Sequence, residues 1–349
     1  DFVNGEFDNS FYLGYTLDNL YNESKENLTA YLNGEKEPQS VPKYITSDMR
    51  IDGSSVYAQT EMDGTVAERP VFFVGYGHFD GAANDMPLFG EIGANTIQTE
   101  IGPTDVMTFA DDGSYTIKTD KIENLKTILQ NAEDNNIAVS VLLSPHYFPT
   151  NVIENYNIGH SDGTSEFLKY NVNADIAKTI IEAYLRYVIP QIKDYTSLNN
   201  ICISNEPLFK PERCGDFYLD DWHNFLKETY ENDIDKLNRA YGSSYASFDE
   251  ILLSYTNDVM EYDYKMFNDK VFSQWHRWMA EIIDEIAPDV PLHSKIMNYL
   301  DDDNIAERMK RGVGYESYYD FLDLNGCDAH NYINDGSGLY QVGDGYHVE

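Results

Sequence analysis

Apolar and polar positions follow two regimes along this chain. Up to residue 69, Leu13, Leu17, Leu20, Tyr21, Leu28 and Leu32 recur at roughly helical spacing. They predict one or two helices, stopped by Asn33-Gly34. The polar stretch 34–69, with Pro38, Pro42 and Gly64, reads as a lead-in holding short strands. From Arg69-Pro70 the pattern becomes strand, loop, helix, strand. Val71-Phe-Phe-Val74 is the first expected strand and Gly75-Tyr-Gly77-His78-Phe79 its loop. A short helix over 85–92 closes at Gly93, and Asn95 to Glu100 is the second strand. An amphipathic helix over 119–135 leads to the third strand, Ile137 to Leu143, which runs into Ser144-Pro145-His146. A long helix over 175–193 precedes the fourth strand, Asn200 to Glu206, ended by Pro207. After a mainly helical stretch (217–287), Pro291 to Met297 and Phe321 to Asp328 complete six strands.

Continuous apolar strands alternating with helices predict an α/β fold with a parallel sheet covered on both faces. Chemically capable residues recur near the expected strand ends: His78, Glu100, His146, Glu206, His293 and His330. A (β/α)8 barrel gathers its active site at the carboxyl ends of its strands. No glycine-rich phosphate loop follows the first strand, which argues against a nucleotide-binding sheet. The expected division is 1–69 as lead-in and 70–349 as barrel domain. Only six strands are counted, because the glycine-rich stretch after Tyr332 is too short for a helix and two more strands. The barrel is therefore expected to be incomplete here, completed by a further segment or another chain.

Composition narrows the partners. The formal net charge is −36, with Lys+Arg 24 against Asp+Glu 60. That disfavours nucleic acid, anionic membranes and polyanionic substrates, and a neutral ligand fits better. Tyrosine is abundant (Tyr 28), and its flat apolar ring with a polar rim suits sugars, although most of these side chains must simply pack. Cys202, Cys214 and Cys327 lie far apart, which excludes a disulfide framework and a CxxC zinc signature. No stretch has the length of a membrane helix, so membrane insertion is not expected. The acidic composition, few cysteines and a chain opening on Asp1 suggest a processed, exported bacterial protein at the cell surface or outside it, although a cytoplasmic one would look similar.

The most informative residues are Ser204-Asn205-Glu206-Pro207 at the end of the fourth strand. Glycoside cleavage needs one carboxylic acid to protonate the departing oxygen and a second carboxylate to attack or to activate water. An asparagine just before the acid can hold a sugar hydroxyl. Its bland alternative is a helix cap. Position decides between them: an apolar strand precedes the pair and a proline follows it.

Here the sequence resembles the retaining (β/α)8-barrel glycosidases, and within them the family 42 β-galactosidases. The runs Phe225 to Tyr230, Ile234 to Gly242 and Tyr245 to Ile251 are similar to that family's segment after the fourth strand. Asp263 to Phe267, Ala287-Pro288-Asp289 and Pro291 to Met297 resemble its fourth helix and fifth strand, and Leu322 to Tyr332 its sixth. The layout matches over about 70–332, and the specific likeness runs from 200 to 332. The resemblance implies that Glu206 is the general acid/base, that Asn205 grips the 2-hydroxyl, and that Tyr332 orients a nucleophile glutamate. That glutamate ends a seventh strand in the family and is expected beyond residue 349. Two departures stand out. Ile201-Cys202-Ile203 replaces a tryptophan-rich stretch, and the lone Cys214 cannot supply the cysteine zinc site of some members.

His78, His146, His293 and His330 are candidate contacts to sugar hydroxyls, with ordinary packing as the alternative for each. Tyr76, Tyr147, Tyr299 and Tyr332 are candidates for stacking. Glu100 and Asp328 are the other carboxylates near strand ends, and Glu100 is taken as a substrate contact. No H-x-H or H-x-x-x-H spacing supports a metal, and the chemistry requires neither metal nor organic cofactor. The expected ligand is an oligosaccharide or polysaccharide. Two readings compete with a β-galactosidase-like enzyme: an endo-acting polysaccharide hydrolase, and a non-catalytic glycan-binding protein on a degenerate barrel.

Overall fold

The long apolar runs form a parallel sheet. The computed structural model describes residues 7–37, 40–77, 81–160, 168–298, 311–329, 332–334 and 340–342. The sheet's strands are β1 (Gly75–Tyr76), β2 (Thr96–Ile101), β3 (Ala138–Leu143), β4 (Leu198–Asn205), β5 (Leu292–Asn298) and β6 (Gly326–Ala329). They lie side by side in chain order, and each neighbouring pair is parallel. Parallel neighbours need a crossover between them, and the intervening helices supply it. In β3 every residue but Ser140 is buried, as a strand covered on both faces requires.

The helices bury one stripe each against this sheet. Asp175–Ile192 buries Ala177, Ile180, Ile181, Tyr184, Leu185, Val188, Ile189 and Ile192, at spacings of three and four. Asp120–Asn135 buries Ile122, Leu125, Leu129 and Ala132, and Asn136 ends it in a left-handed turn at φ 54°. The longest helix, Asp258–Ile286, starts on Asn257, whose side chain accepts from the Val259 and Met260 amides. Its stripe Phe272, His276, Met279 and Ile283 is buried. Each large apolar side chain so buried is worth about 1.5–3 kcal/mol against exposure, which makes these stripes the main driving force of the fold.

Three local expectations are corrected. Val71 to Val74 is not a ladder strand, because its backbone is satisfied elsewhere. The Val71 amide donates to Val56 O at 2.8 Å, and the Asn95 side chain clamps the Val74 amide and the Phe72 carbonyl at 2.8 and 3.0 Å. Pairing begins at Gly75, where a Cβ would lie 1.7 Å from the Thr96 carbonyl oxygen, so only glycine allows that approach. The sixth strand starts at Gly326, not at Phe321. Past it, Tyr332–Asn334 pairs antiparallel with Tyr340–Val342 as a separate hairpin.

The chain divides into two units, one of Asp1–Lys43 and Thr60–Arg69 and the other of Tyr44–Gln59 and Pro70–Glu349. In the smaller, Phe7–Leu32 is a single helix, and Leu17, Leu20, Tyr21, Leu28 and Leu32 are all exposed on it. Asp63 and Gly64 at positive φ (51° and 75°) turn its hairpin, as a two-residue connection requires. In the larger, Tyr44, Ala58 and Ala138 make a small cluster against which Val71 and Phe73 pack.

Candidate active site

Strand β4 ends in an irregularity that decides what it presents. Cys202 is in register with His293 of β5, and Asn205 with Lys295. β4 therefore uses one more residue than β5 over the same span, which is a β-bulge. In a regular strand, side chains alternate between faces, and Asn205 would point away from the side that Cys202 takes. The extra residue cancels one alternation and returns Asn205 to the face shared by His293 and Lys295. Ser204 is left on the helix-covered side. There its Oγ lies 2.8 Å from His276 Nε2 and 2.7 Å from Ser294 Oγ.

Glu206 follows at once, with its amide donating to Lys295 O at 2.8 Å. Its φ is +43°, in the left-handed region that a glutamate seldom adopts. Pro207 restricts the preceding residue further. Such a backbone costs about 1–3 kcal/mol and persists only where its surroundings impose it, which happens most often at functional sites. Asn205 Oδ1 is buried and has no hydrogen-bond partner among the described residues. An unpartnered buried acceptor costs free energy until a donor reaches it.

Across β3, the same end of β2 carries Glu100. Its carboxylate accepts from Ser144 Oγ at 3.1 Å and from the Tyr147 hydroxyl at 3.3 Å. The Tyr147 phenol is pushed up by partial burial and by the Glu100 charge. Gly102 permits this meeting of strand ends, since a Cβ there would lie 2.9 Å from Tyr147 Cβ. β2 and β4 flank β3, and Glu100 and Cys202 share Leu142 as their register partner, so Asn205 lies two strands away from Glu100 and further along β4.

His146 lies in the loop after β3, half-buried, with its ring 4.2 Å from that of Tyr147. His293 is not at a strand end. It is the second residue of β5, one layer deeper than Asn205, and its Nε2 lies 3.5 Å from Ser140 Oγ. Burial, with Lys295 adding to it, lowers its pKa to about 4, so the ring stays neutral. Tyr76 stacks on Phe89, with centroids 4.5 Å apart. Asp328 is on β6 in register with Met297, and Tyr332 opens the separate hairpin. His78, Tyr299, His330 and Glu349 lie outside the described residues. Among the described residues, no three His, Cys, Asp or Glu side chains are grouped to hold a metal ion, and no helix is long and apolar enough to cross a membrane.

Sequence reasoning missed Ser294, His276 and Tyr318, and it gave Ser204 no role of its own beside Asn205 and Glu206. The signal was present in two forms: a serine within each of two neighbouring strand runs, and a histidine on the apolar stripe of a helix. Both patterns also occur in ordinary cores, and only the distances join them.

The profile of the Beta-galactosidase family, Glyco_hydro_42, matches residues 111–334, well over half of the chain. The chain belongs to this family. A β-galactosidase, Pbg, of Clostridium perfringens is 27% identical over 157 residues, covering 42% of this chain and 22% of that protein. Among solved structures, an exo-carrageenase of Bacteroides ovatus superposes with a TM-score of 0.62 at 19% identity, over 88% of this chain and 41% of that one. A β-galactosidase of Bacillus circulans gives 0.58 at 15% identity, over 75% and 41%. At these identities the structural likeness speaks for the fold alone. The chain spans about two fifths of the length of these structures and about a fifth of the curated relative. β3 to β6, with Asn205 and Glu206 at the end of β4, fall inside the segment matched by the family profile, and β1 and β2, with Glu100, lie before it.

Proposed function

We propose that this family 42 chain is part of a retaining glycoside hydrolase acting on a neutral β-galactoside or related β-glycoside, with Glu206 as general acid/base. One observation carries the reading. Glu206 stands at φ +43° one residue past a bulge at the end of the fourth parallel strand, where the strained backbone fixes a carboxyl group at the sheet's carboxyl edge. In the first step Glu206 gives its proton to the glycosidic oxygen as the C–O bond breaks, while a second carboxylate bonds to the anomeric carbon. In the second step the Glu206 carboxylate takes a proton from water as that water displaces the covalent carboxylate. We assign the second carboxylate to a glutamate outside these residues, on a later strand that with β1 to β6 closes a (β/α)8 barrel. Asn205 Oδ1 accepts a sugar hydroxyl, which gives that buried oxygen its partner. Glu100, with Tyr147 and His146 beside it, lines the substrate groove two strands over. A net charge of −36 favours an uncharged oligosaccharide or polysaccharide over a polyanionic one.

The test is turnover of aryl β-galactosides by the full-length protein and its Glu206→Gln variant. A poor leaving group needs the proton and an activated nitrophenolate does not. In kcat/KM, which reports the first step, Glu206→Gln should lose roughly 10²–10⁴-fold on the poor one and far less on the activated one. Equal activity of variant and parent on both would remove Glu206 from the chemistry. Sugar binding without turnover by the parent would favour a glycan-binding protein.

A further inference from the structure

We infer that His276, acting through Ser204, is a positioning residue for the Asn205–Glu206 pair, and that the chain Tyr318–His276–Ser204–Ser294 holds the β4 bulge on which that pair is carried. The inference rests on the reading of Glu206 as acid/base.

The four side chains come from four elements: β4, β5, the helix Asp258–Ile286 and the short helix Tyr315–Tyr318. All are out of solvent, with exposures of 2% for Ser204, 0% for Ser294 and His276, and 1% for Tyr318. One arrangement of protons makes all four of their contacts hydrogen bonds. His276 Nδ1 lies 2.9 Å from the Phe272 carbonyl, which can only accept, so Nδ1 carries the ring proton. The Tyr318 hydroxyl, 3.0 Å from the same nitrogen, accepts a share of it. Nε2 then has only a lone pair to offer, and the Ser204 hydroxyl 2.8 Å away must donate to it. With its proton committed, Ser204 Oγ accepts from Ser294 at 2.7 Å. Complete burial lowers the His276 pKa to about 3, so no ordinary pH adds a second ring proton and disturbs this order.

The consequence for the site is mechanical. The bond to Phe272 O fixes the ring against its own helix and aims Nε2 at β4. Ser204 is the residue that the bulge turns to the helix side. Pinning its hydroxyl there keeps the extra residue in place, which keeps Asn205 on the inner face and Glu206 in its left-handed conformation. If the bulge relaxes, the alternation of β4 resumes and Asn205 leaves the face it shares with Lys295. A polar histidine in this core is otherwise unexplained, since its stripe neighbours Phe272, Met279 and Ile283 are apolar. An apolar side chain there would avoid the cost of burying an imidazole.

The experiment compares kcat/KM, which reports the first step alone, for two aryl β-galactosides, one with a poor and one with an activated leaving group, in the full-length protein. Ser204→Ala and His276→Phe are expected to shift the ratio of the two kcat/KM values toward the activated substrate by about tenfold or more, because glycosylation needs the proton of a well-placed acid only when the leaving group is poor. His276→Gln restores an acceptor for the Ser204 hydroxyl and is expected to return the ratio to within about threefold of the parent. Parallel losses on both substrates in Ser204→Ala, or no rescue by glutamine relative to phenylalanine, would overturn the inference. If His276→Phe does not fold, Ser204→Ala decides alone, since it removes a single hydroxyl. Glu206→Gln in the same assay separates the two ideas. If it shifts the ratio and Ser204→Ala does not, positioning by His276 fails while the acid/base reading stands. If Glu206→Gln leaves the ratio unchanged, the reading of Glu206 fails first.

Discussion

Two glutamates stand at the same end of the sheet and are held in opposite ways. Glu100 is a regular residue of β2, and its carboxylate is occupied by hydroxyls of Ser144 and Tyr147. Glu206 lies past a bulge, in a left-handed backbone anchored through its amide to Lys295 O. At Glu100 the side chain is secured and the backbone is relaxed. At Glu206 the backbone is strained, and Ser204, His276 and Ser294 are hydrogen-bonded to one another behind it. Strain that a protein keeps at a cost of about 1–3 kcal/mol needs a reason, and the position of a reacting carboxyl group is one.

The largest expected effects break this comparison directly. Glu206→Gln should cost roughly 10²–10⁴-fold on a substrate with a poor leaving group. Glu100→Gln keeps one oxygen to accept from Ser144 or Tyr147, so it should cost about tenfold or less, mostly as a raised KM. Measured side by side on one substrate, the two losses should differ by at least an order of magnitude. Similar losses would mean that both carboxylates take part in bond making.

A smaller effect sharpens the other half of the comparison, the buried core behind Glu206. His276 and His293 are held neutral in the folded protein, with pKa lowered from 6.5 to about 3 and about 4 by burial. Below pH 6.5 the unfolded chain binds protons at these positions that the folded chain refuses. Their contribution to stability is therefore full above about 6.5 and is lost as pH falls toward 4 and then 3, by up to about 1.4 kcal/mol per pH unit for each ring. Urea midpoints at pH 7, 6 and 5 should fall accordingly. In His276→Gln the fall should be shallower by about one proton, and an unchanged slope would contradict the buried neutral ring.

Much of this was legible from the residues. Unbroken apolar runs fixed β3 and β4 to within two residues, and the stripe from Ala177 to Ile192 fixed its helix. Asn205-Glu206 at the end of the fourth strand stood out for the same reason, since apolar patterning locates strand ends well. What patterning does not see is where the backbone finds its hydrogen bonds. Val71 to Val74 is as apolar as a strand, yet Val56 and the Asn95 side chain take its polar groups, and pairing waits for Gly75. His293 lies near the start of β5, because a histidine in a strand has no sequence mark for depth. The bulge is invisible for a related reason. A period-2 pattern assumes the regular alternation that the extra residue breaks, so Ser204 and Asn205 are assigned to the wrong faces by counting.

The central claim is that Glu206 is the acid/base of a retaining enzyme, and azide tests it most directly. In full-length Glu206→Ala with an activated aryl β-galactoside, the covalent intermediate forms without acid help but lacks a base for water. Azide needs no base and fits the space left by the missing carboxylate. The account predicts that azide raises the turnover of this variant and that the product is the β-galactosyl azide. No response to azide, or the α-galactosyl azide that a missing nucleophile gives, would contradict it.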